Sequence, residues 1–290
     1  MADKILVIGA CGQVGTELVE NLQAIHGASN VVASDIRTSD SPVFANGEFV
    51  TLNVLDKNQI AEVFGKYKPT IVYHLAALLS ATAEQNPKFG WELNMDGTFN
   101  IFDACLEYGV NRIFWPSSIA VFGPTTPAVM TPQSTILEPN TIYGITKLAG
   151  ERYCEYYHNR YGLDVRSIRY PGLIGWKSLP GGGTTDYAVD IFHQALKSGS
   201  YECFLSEQTT LPMMHMEDAV RATLEITNAA SNEVKIRSSY NIAGVSFNPE
   251  SLSAEIRKHI PSFEMSYKID GRQKIADSWP QSIDDAQARN

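Results

Sequence analysis

The chain has 290 residues, 44% of them hydrophobic, and a formal net charge of -9. That length suits one large α/β domain or a nucleotide-binding domain with a smaller lobe, and the apolar fraction fills a sizeable core. An acidic balance without any run of lysine or arginine argues against nucleic acid or an anionic membrane as the main partner.

Lys4 to Gly9 is a short apolar run ending in glycine, the pattern of a parallel strand buried on both faces. The segment GACGQVG, Gly9 to Gly15, then leads into a stretch from Thr16 whose leucines and valine recur at helical spacing. Strand, glycine loop and helix follow in the order a dinucleotide site needs. Gly9 permits the tight turn, Gly12 lets a pyrophosphate reach the backbone, and Gly15 lets the helix pack closely on the strand. Gln13 and Val14 complete that cofactor contact. Val31 to Asp35 is a second apolar run, closed by an acidic residue about twenty positions after Gly15. The Asp35 carboxylate can accept hydrogen bonds from the adenosine ribose and would repel a 2′-phosphate, so NAD is expected over NADP. Arg37 either stacks on the adenine or accommodates a phosphate.

Phe49 to Asp56 supplies a third strand, with Asp56 as N-cap of a helix to about Lys68. Strand carboxyl ends face the ligand in a doubly wound sheet, which puts Asn53 and Val54 near the adenine. Pro69 to Ala77 is a fourth strand whose ending, Leu75, Ala76 and Ala77, lets a cofactor pass closely. Ser80 to Gly109 reads as one long helical region. Asn94 within it is costly to bury without partners. It is counted among the cofactor-side residues, either positioning the active-site lysine or serving as an ordinary helix-interior polar group.

Arg112 to Ser118 is a fifth strand, with Ser117 and Ser118 at its carboxyl end; chemistry alone does not separate the two. Tyr143 and Lys147 lie four apart on a helix and share a face, where the ammonium favours the ionised phenol, a usable general base. Leu163 to Gly172 forms a sixth strand that carries Tyr170 and Pro171 past a nicotinamide carboxamide. In PGGGTTDY, Pro180 to Tyr187, the glycines confer mobility and Thr184, Thr185 or Asp186 caps a helix. Bare amides at that end attract a carboxylate, which makes Gly183, Thr184 and Thr185 substrate-side candidates. Another helix is expected from Leu211 to Asp218 onward, a seventh strand over Ser239 to Gly244, and a further helix after Asn248. Met213, Met214 and Met216 read as core or pocket lining.

This alternation specifies a Rossmann-type, doubly wound parallel α/β sheet with a small C-terminal substrate-binding lobe. The expected boundaries are 1–171 for the NAD-binding domain and 172–290 mainly for the lobe, with 211–244 returning to the sheet. Four scattered cysteines without a C-x-x-C pair read as reduced thiols in the cytoplasm, and six scattered histidines give no metal site. No leader pattern or membrane span is expected.

The order GxxGxxG, strand-end aspartate, serine, Tyr143-x-x-x-Lys147 and Arg169-Tyr170-Pro171 resembles the extended short-chain dehydrogenase/reductase superfamily. Within it the chain is similar to the NAD-dependent L-threonine 3-dehydrogenases. The residues that carry the likeness are IGACGQVG, SSIAVFGP, YGITK, PGGGTTDYA and LPMM, the last two being the discriminating ones. The resemblance runs from about Lys4 to Arg289; members usually continue with a Trp-rich segment, whereas this sequence runs to Asn290. In that superfamily the active-site Ser or Thr lies five residues before the glycine of an aromatic-glycine pair, here Phe122-Gly123, which selects Ser118. The likeness further implies oxidation of the L-threonine 3-hydroxyl by NAD, substrate contacts from Ser80, Ser118, Tyr143 and the Thr184–Thr185 region, and a homodimer through the helices around Asn94 and Tyr143. Two other readings are a sugar-nucleotide epimerase or dehydratase, against which Pro171 and the absence of a longer basic lobe count, and a redox-sensing NAD-binding regulator, which would need none of Ser118, Tyr143 and Lys147.

Overall fold

Short, wholly apolar runs separated by amphipathic helices dictate the architecture of this chain, whose computed structural model describes residues 3–177 and 179–289. The first part alternates β1 (Ile5–Ile8), α1 (Gln13–His26), β2 (Val31–Asp35), β3 (Glu48–Thr51), α2 (Lys57–Tyr67) and β4 (Ile71–His74). Four helical segments follow: α3 (Ser80–Gln85), α4 (Pro87–Trp91), one π-helical turn (Glu92–Asp96) and α5 (Gly97–Glu107). Next come β5 (Arg112–Phe114), β6 (Ser117–Ser118), the long α6 (Ile142–Tyr161), β7 (Asp164–Arg166), β8 (Ile168–Tyr170) and β9 (Gly172–Ile174). The remainder holds α7 (Tyr187–Ser198), β10 (Ser200–Cys203), β11 (Leu211–His215), α8 (Met216–Asn228), β12 (Tyr240–Asn241) and β13 (Val245–Phe247). It ends with α9 (Pro249–His259), β14 (Glu264–Tyr267), α10 (Arg272–Ala276) and α11 (Ala286–Arg289).

Six strands form a parallel sheet in the order β3-β2-β1-β4-β5-β7, so the strand order reverses between β1 and β4. Helices α1 and α8 pack on one face of this sheet, and α2, α5 and α6 on the other. Residues of β1 are buried on both sides, as a central parallel strand requires. Beyond this sheet β6 pairs with β8 and β8 with β12, while β9 pairs with β11 and β11 antiparallel with β13. A separate apolar core joins α7, β10, β11 and α9 to Trp279 and Ile283. Among the described residues the four cysteines are free, and no helix is long and apolar enough to cross a membrane.

Two expectations give way. The region from Ser80 to Gly109 is not one helix: Asn86 precedes Pro87 and leaves the helical region at ψ 75, which ends α3, and the π turn then offsets α5. Leu211–His215 is strand β11, with α8 starting only at Met216. Its short apolar run fits a buried strand as well as a helix, and pairing with β9 and β13 decides the matter.

One ion pair ties these layers together. Arg169 on β8 grips Glu151 on α6 through two bonds of 2.8 Å, with both side chains excluded from solvent. The Ser117 hydroxyl donates to the same carboxylate at 2.6 Å, and Arg169 also donates to Asn241 Oδ1 at 3.0 Å. Removing one member would strand the other charge in the core. Arg169→Met is therefore expected to cost about 3–5 kcal/mol in urea unfolding, with part of the loss recovered in the Arg169→Met/Glu151→Met double variant.

Candidate active site

The carboxyl ends of β1 to β5 open on a cavity of about 760 Å³. Its first half is a glycine cradle. Gly9 has φ 84, and a Cβ there would stand 2.7 Å from the Ala76 nitrogen; one on Gly15 would meet the Gly9 oxygen at 2.3 Å. Gly12 is different: an added Cβ would have one neighbour, the Gly9 oxygen at 3.4 Å, so this backbone is open to a ligand. Helix α1 starts directly after it without a side-chain cap or an acidic residue in its first turn. Its first amides, from Gln13 and Val14, are thus left for an anion. The Gln13 side chain instead donates to the Leu179 oxygen at 3.2 Å.

Asp35 is almost buried at the end of β2. Its two oxygens accept from the Cys11 and Arg37 amides, both at 3.0 Å, which aims the carboxylate at the cavity. The Arg37 guanidinium lies 3.6 Å from that carboxylate with its side chain 68% exposed, so it occupies the rim. An amide cradle followed by an oriented carboxylate matches the donor and acceptor needs of a pyrophosphate and an unphosphorylated ribose, and the residues present therefore fit NAD. Asn53, Val54, Leu75, Ala76 and Ala77 line the adjoining walls. Tyr170 presents its ring, because its hydroxyl is engaged by Thr223.

At the far end Ser118, Tyr143 and Lys147 converge. Local sequence sets the start of α6: Thr141 Oγ1 accepts from the Gly144 amide at 3.0 Å, and Glu84 on α3 accepts from the Ile142 amide at 2.6 Å. A Cβ on Gly144 would stand 2.1 Å from the Ala120 oxygen, so only glycine lets α6 approach the turn that follows Ser118. Lys147 Nζ donates to the Pro116 oxygen at 2.6 Å and lies 5.7 Å from the Tyr143 ring centroid. Tyr143 is partly open to the cavity, yet loss of solvent at its hydroxyl pushes the phenol up to about 12, against a hydrogen bond from Ser118. Burial lowers Lys147 to about 7, against Cys154 and Glu151. Desolvation thus outweighs the mutual support expected of the pair in the free protein.

Asn94 is the cofactor-side candidate that the structure keeps off the cavity wall. Its Oδ1 accepts from the Leu78 amide at 2.7 Å, and its Nδ2 donates to the Leu78 oxygen and to Thr146 Oγ1 at 3.1 and 3.2 Å. The π turn aims it at the loop after β4, so it braces α6 from behind.

The glycine loop also departs from expectation. The amides of Gly182 and Gly183 are not bare: both donate to Asp186 Oδ2, at 2.8 and 2.7 Å. Asp186 occupies the N-cap position of α7 without a side-chain bond to the helix, and burial raises its pKa against those loop amides. Thr184 Oγ1 meets Ser80 Oγ at 3.0 Å, which seals the loop to α3, and Gly183, Thr184 and Thr185 line the cavity. Sequence reasoning missed Thr82, Asp186 and Trp279 as wall residues. Trp279 comes from a distant segment that no local motif marks.

A dinucleotide cradle that ends in a serine, a tyrosine and a lysine defines an NAD-dependent oxidoreductase site on a Rossmann sheet. Residues 5–243 match the NAD dependent epimerase/dehydratase family. The chain belongs to that family, and its cofactor is NAD. A relative in Staphylococcus saprophyticus, described as an uncharacterized epimerase/dehydratase, is 46% identical over 99% of this chain and 90% of its own length. Among solved structures, the holo form of a GalE-like L-threonine dehydrogenase from Cupriavidus necator is 50% identical with a TM-score of 0.96, covering 99% of this chain and 92% of its own. L-threonine dehydrogenase from Clostridium difficile is 45% identical with a TM-score of 0.94, covering 99% and 90%.

Because Asp35 is the charged acceptor at the ribose end, Asp35→Asn is expected to raise the NAD dissociation constant about 10- to 100-fold, read by calorimetric titration.

Proposed function

We propose that the protein oxidises the 3-hydroxyl of L-threonine to give 2-amino-3-oxobutyrate, with Tyr143 as general base. The observation that carries this reading is the meeting of Ser118, Tyr143 and Lys147 at the end of the cavity sealed by the Ser80–Thr184 contact. Bound NAD supplies the acceptor for the hydride leaving C3 and a positive ring charge nearby. Tyr143 takes the hydroxyl proton, Ser118 holds the same oxygen, and Lys147 as an ammonium favours the phenolate. With the Gly182 and Gly183 amides engaged by Asp186, the hydroxyls of Ser80, Thr184 and Thr185 are the groups assigned to the substrate carboxylate. Closing the glycine loop over bound substrate would exclude water from the reacting centre. The threonine dehydrogenases among the structural relatives support the substrate.

The family description and the staphylococcal relative favour a second reading, a sugar-nucleotide epimerase or dehydratase. Pro171 and the lack of a longer basic lobe to grip a diphosphate rank it below threonine.

Two copies are further proposed to pair through α6, whose outward face exposes Ile145, Tyr153, Tyr156 and Tyr161. The free thiols suit a cytoplasmic enzyme.

Tyr143→Phe is expected to lower kcat about 10²- to 10⁴-fold at saturating L-threonine while NAD still binds; retained turnover would remove Tyr143 as the base. The phenol acts only after losing its proton and titrates above its ordinary value, so kcat is expected to rise with pH and to level off where Lys147 loses its own proton. NADH formation is expected with L-threonine and not with D-threonine, L-allo-threonine or UDP-galactose. Sedimentation velocity is expected to give twice the chain mass; a monomer at working concentration contradicts the pairing.

A further inference from the structure

The ammonium of Lys147 faces an aromatic ring. Its Nζ lies 4.4 Å from the Trp115 ring centroid, and both side chains are nearly excluded from solvent. The indole is fixed from two sides. Nε1 donates to Thr98 Oγ1 at 3.2 Å, and that hydroxyl donates to the Asn94 oxygen at 2.6 Å and meets His74 Nε2 at 3.4 Å. On the other side lies α6 itself, where a Cβ on Gly150 would stand 2.3 Å from Cζ2 and Cη2 of the indole. Only glycine at 150 lets the ring lie against the helix that carries the lysine.

The charged surroundings make this contact matter. On α6 the groups acting on Lys147 are Glu151 and Cys154, with Tyr143 one turn before it; from β4 comes His74. Burial, with help from Lys147, drives His74 to about 3, so it is a neutral neighbour. Glu151 is committed to Arg169 and Ser117. Among the described residues the ammonium donates to the Pro116 carbonyl and lies nearer the indole face than the Tyr143 ring, and indole is the strongest aromatic partner for a cation.

We propose that Trp115 is a positioning residue of the reaction: its buried π face holds Lys147 in the ammonium form beside Tyr143, and Thr98 and Gly150 hold the indole in place. This rests on the reading of Tyr143 as base with Lys147 as its cationic partner. Burial leaves Lys147 titrating near neutrality, where a shift of one unit changes its charge substantially.

Fluorinated tryptophans installed at position 115 withdraw electron density from the ring face at nearly constant shape. A weaker face binds the ammonium less well, lowers the pKa of Lys147 and moves the limb of the kcat–pH profile that Lys147 sets to lower pH. The limb is expected to move stepwise with the number of fluorines, by about one unit for the tetrafluoro ring. In the NAD-free protein, NMR titration of lysine labelled at Cε is expected to show the Lys147 pKa falling in the same order. Trp115→Phe is expected to keep most of the wild-type profile, whereas Trp115→Leu lowers kcat at least tenfold with KM little changed. A limb and a Lys147 titration that ignore the fluorine count overturn the proposal. Tyr143→Phe measured alongside separates the two ideas. If it keeps turnover, the base assignment fails and this proposal fails with it. If it is inactive while the fluorinated series stays flat, only the role of Trp115 fails.

Discussion

The buried Arg169–Glu151 pair is the constraint on which the rest of the site depends. It joins β8 to α6 across the end of the sheet, and Ser117 donates to the same carboxylate. The neighbour of Ser117 is Ser118, and one helical turn before Glu151 is Lys147. A single pair of charges thus fixes the strand that presents the hydroxyl and the helix that presents the phenol and ammonium. Such a pair adds little net stability, since its desolvation offsets much of its attraction, but it tolerates very few arrangements. Geometry is what the site gains from it.

Glycines complete that geometry by subtraction. Gly144 lets α6 touch the turn after Ser118, Gly150 lets α6 lie on Trp115, and Gly15 lets α1 lie on the cradle. Each allows two backbones, or a backbone and an indole, to approach more closely than a methyl group would permit. The result is a set of polar groups held close together, where burial raises Tyr143 and lowers Lys147. In the free protein burial thus works against the charged form of each.

Much of this was legible in the chain. The apolar runs ending in Gly9 and Asp35, and the four-residue spacing of Tyr143 and Lys147, are local patterns whose physical meaning does not depend on distant residues. Asp56 likewise caps α2 through bonds to Asn58 and Gln59, its near neighbours. The misreadings share a cause as well. Leu211–Met214 becomes a strand because β9 and β13 flank it, and Asp186 turns back to its own loop amides. In each case the competing partner lies elsewhere in the chain or follows from a backbone detail without a sequence signature.

The sequence by itself determined the sheet class, the dinucleotide cradle and the shared helix face of Tyr143 and Lys147, because strand period, glycine spacing and helical repeat act over a few residues. Tertiary structure alone decided which groups close the cavity, where the buried charges pair and which ring the lysine faces. Trp279, Thr184 and Ser80 come together from segments far apart, as do Arg169 and Glu151. Burial and pairing are properties of the packed whole. The charge state of Lys147 depends on burial among groups from β4 and the strand ends as much as on its own helix, and no local pattern encodes that.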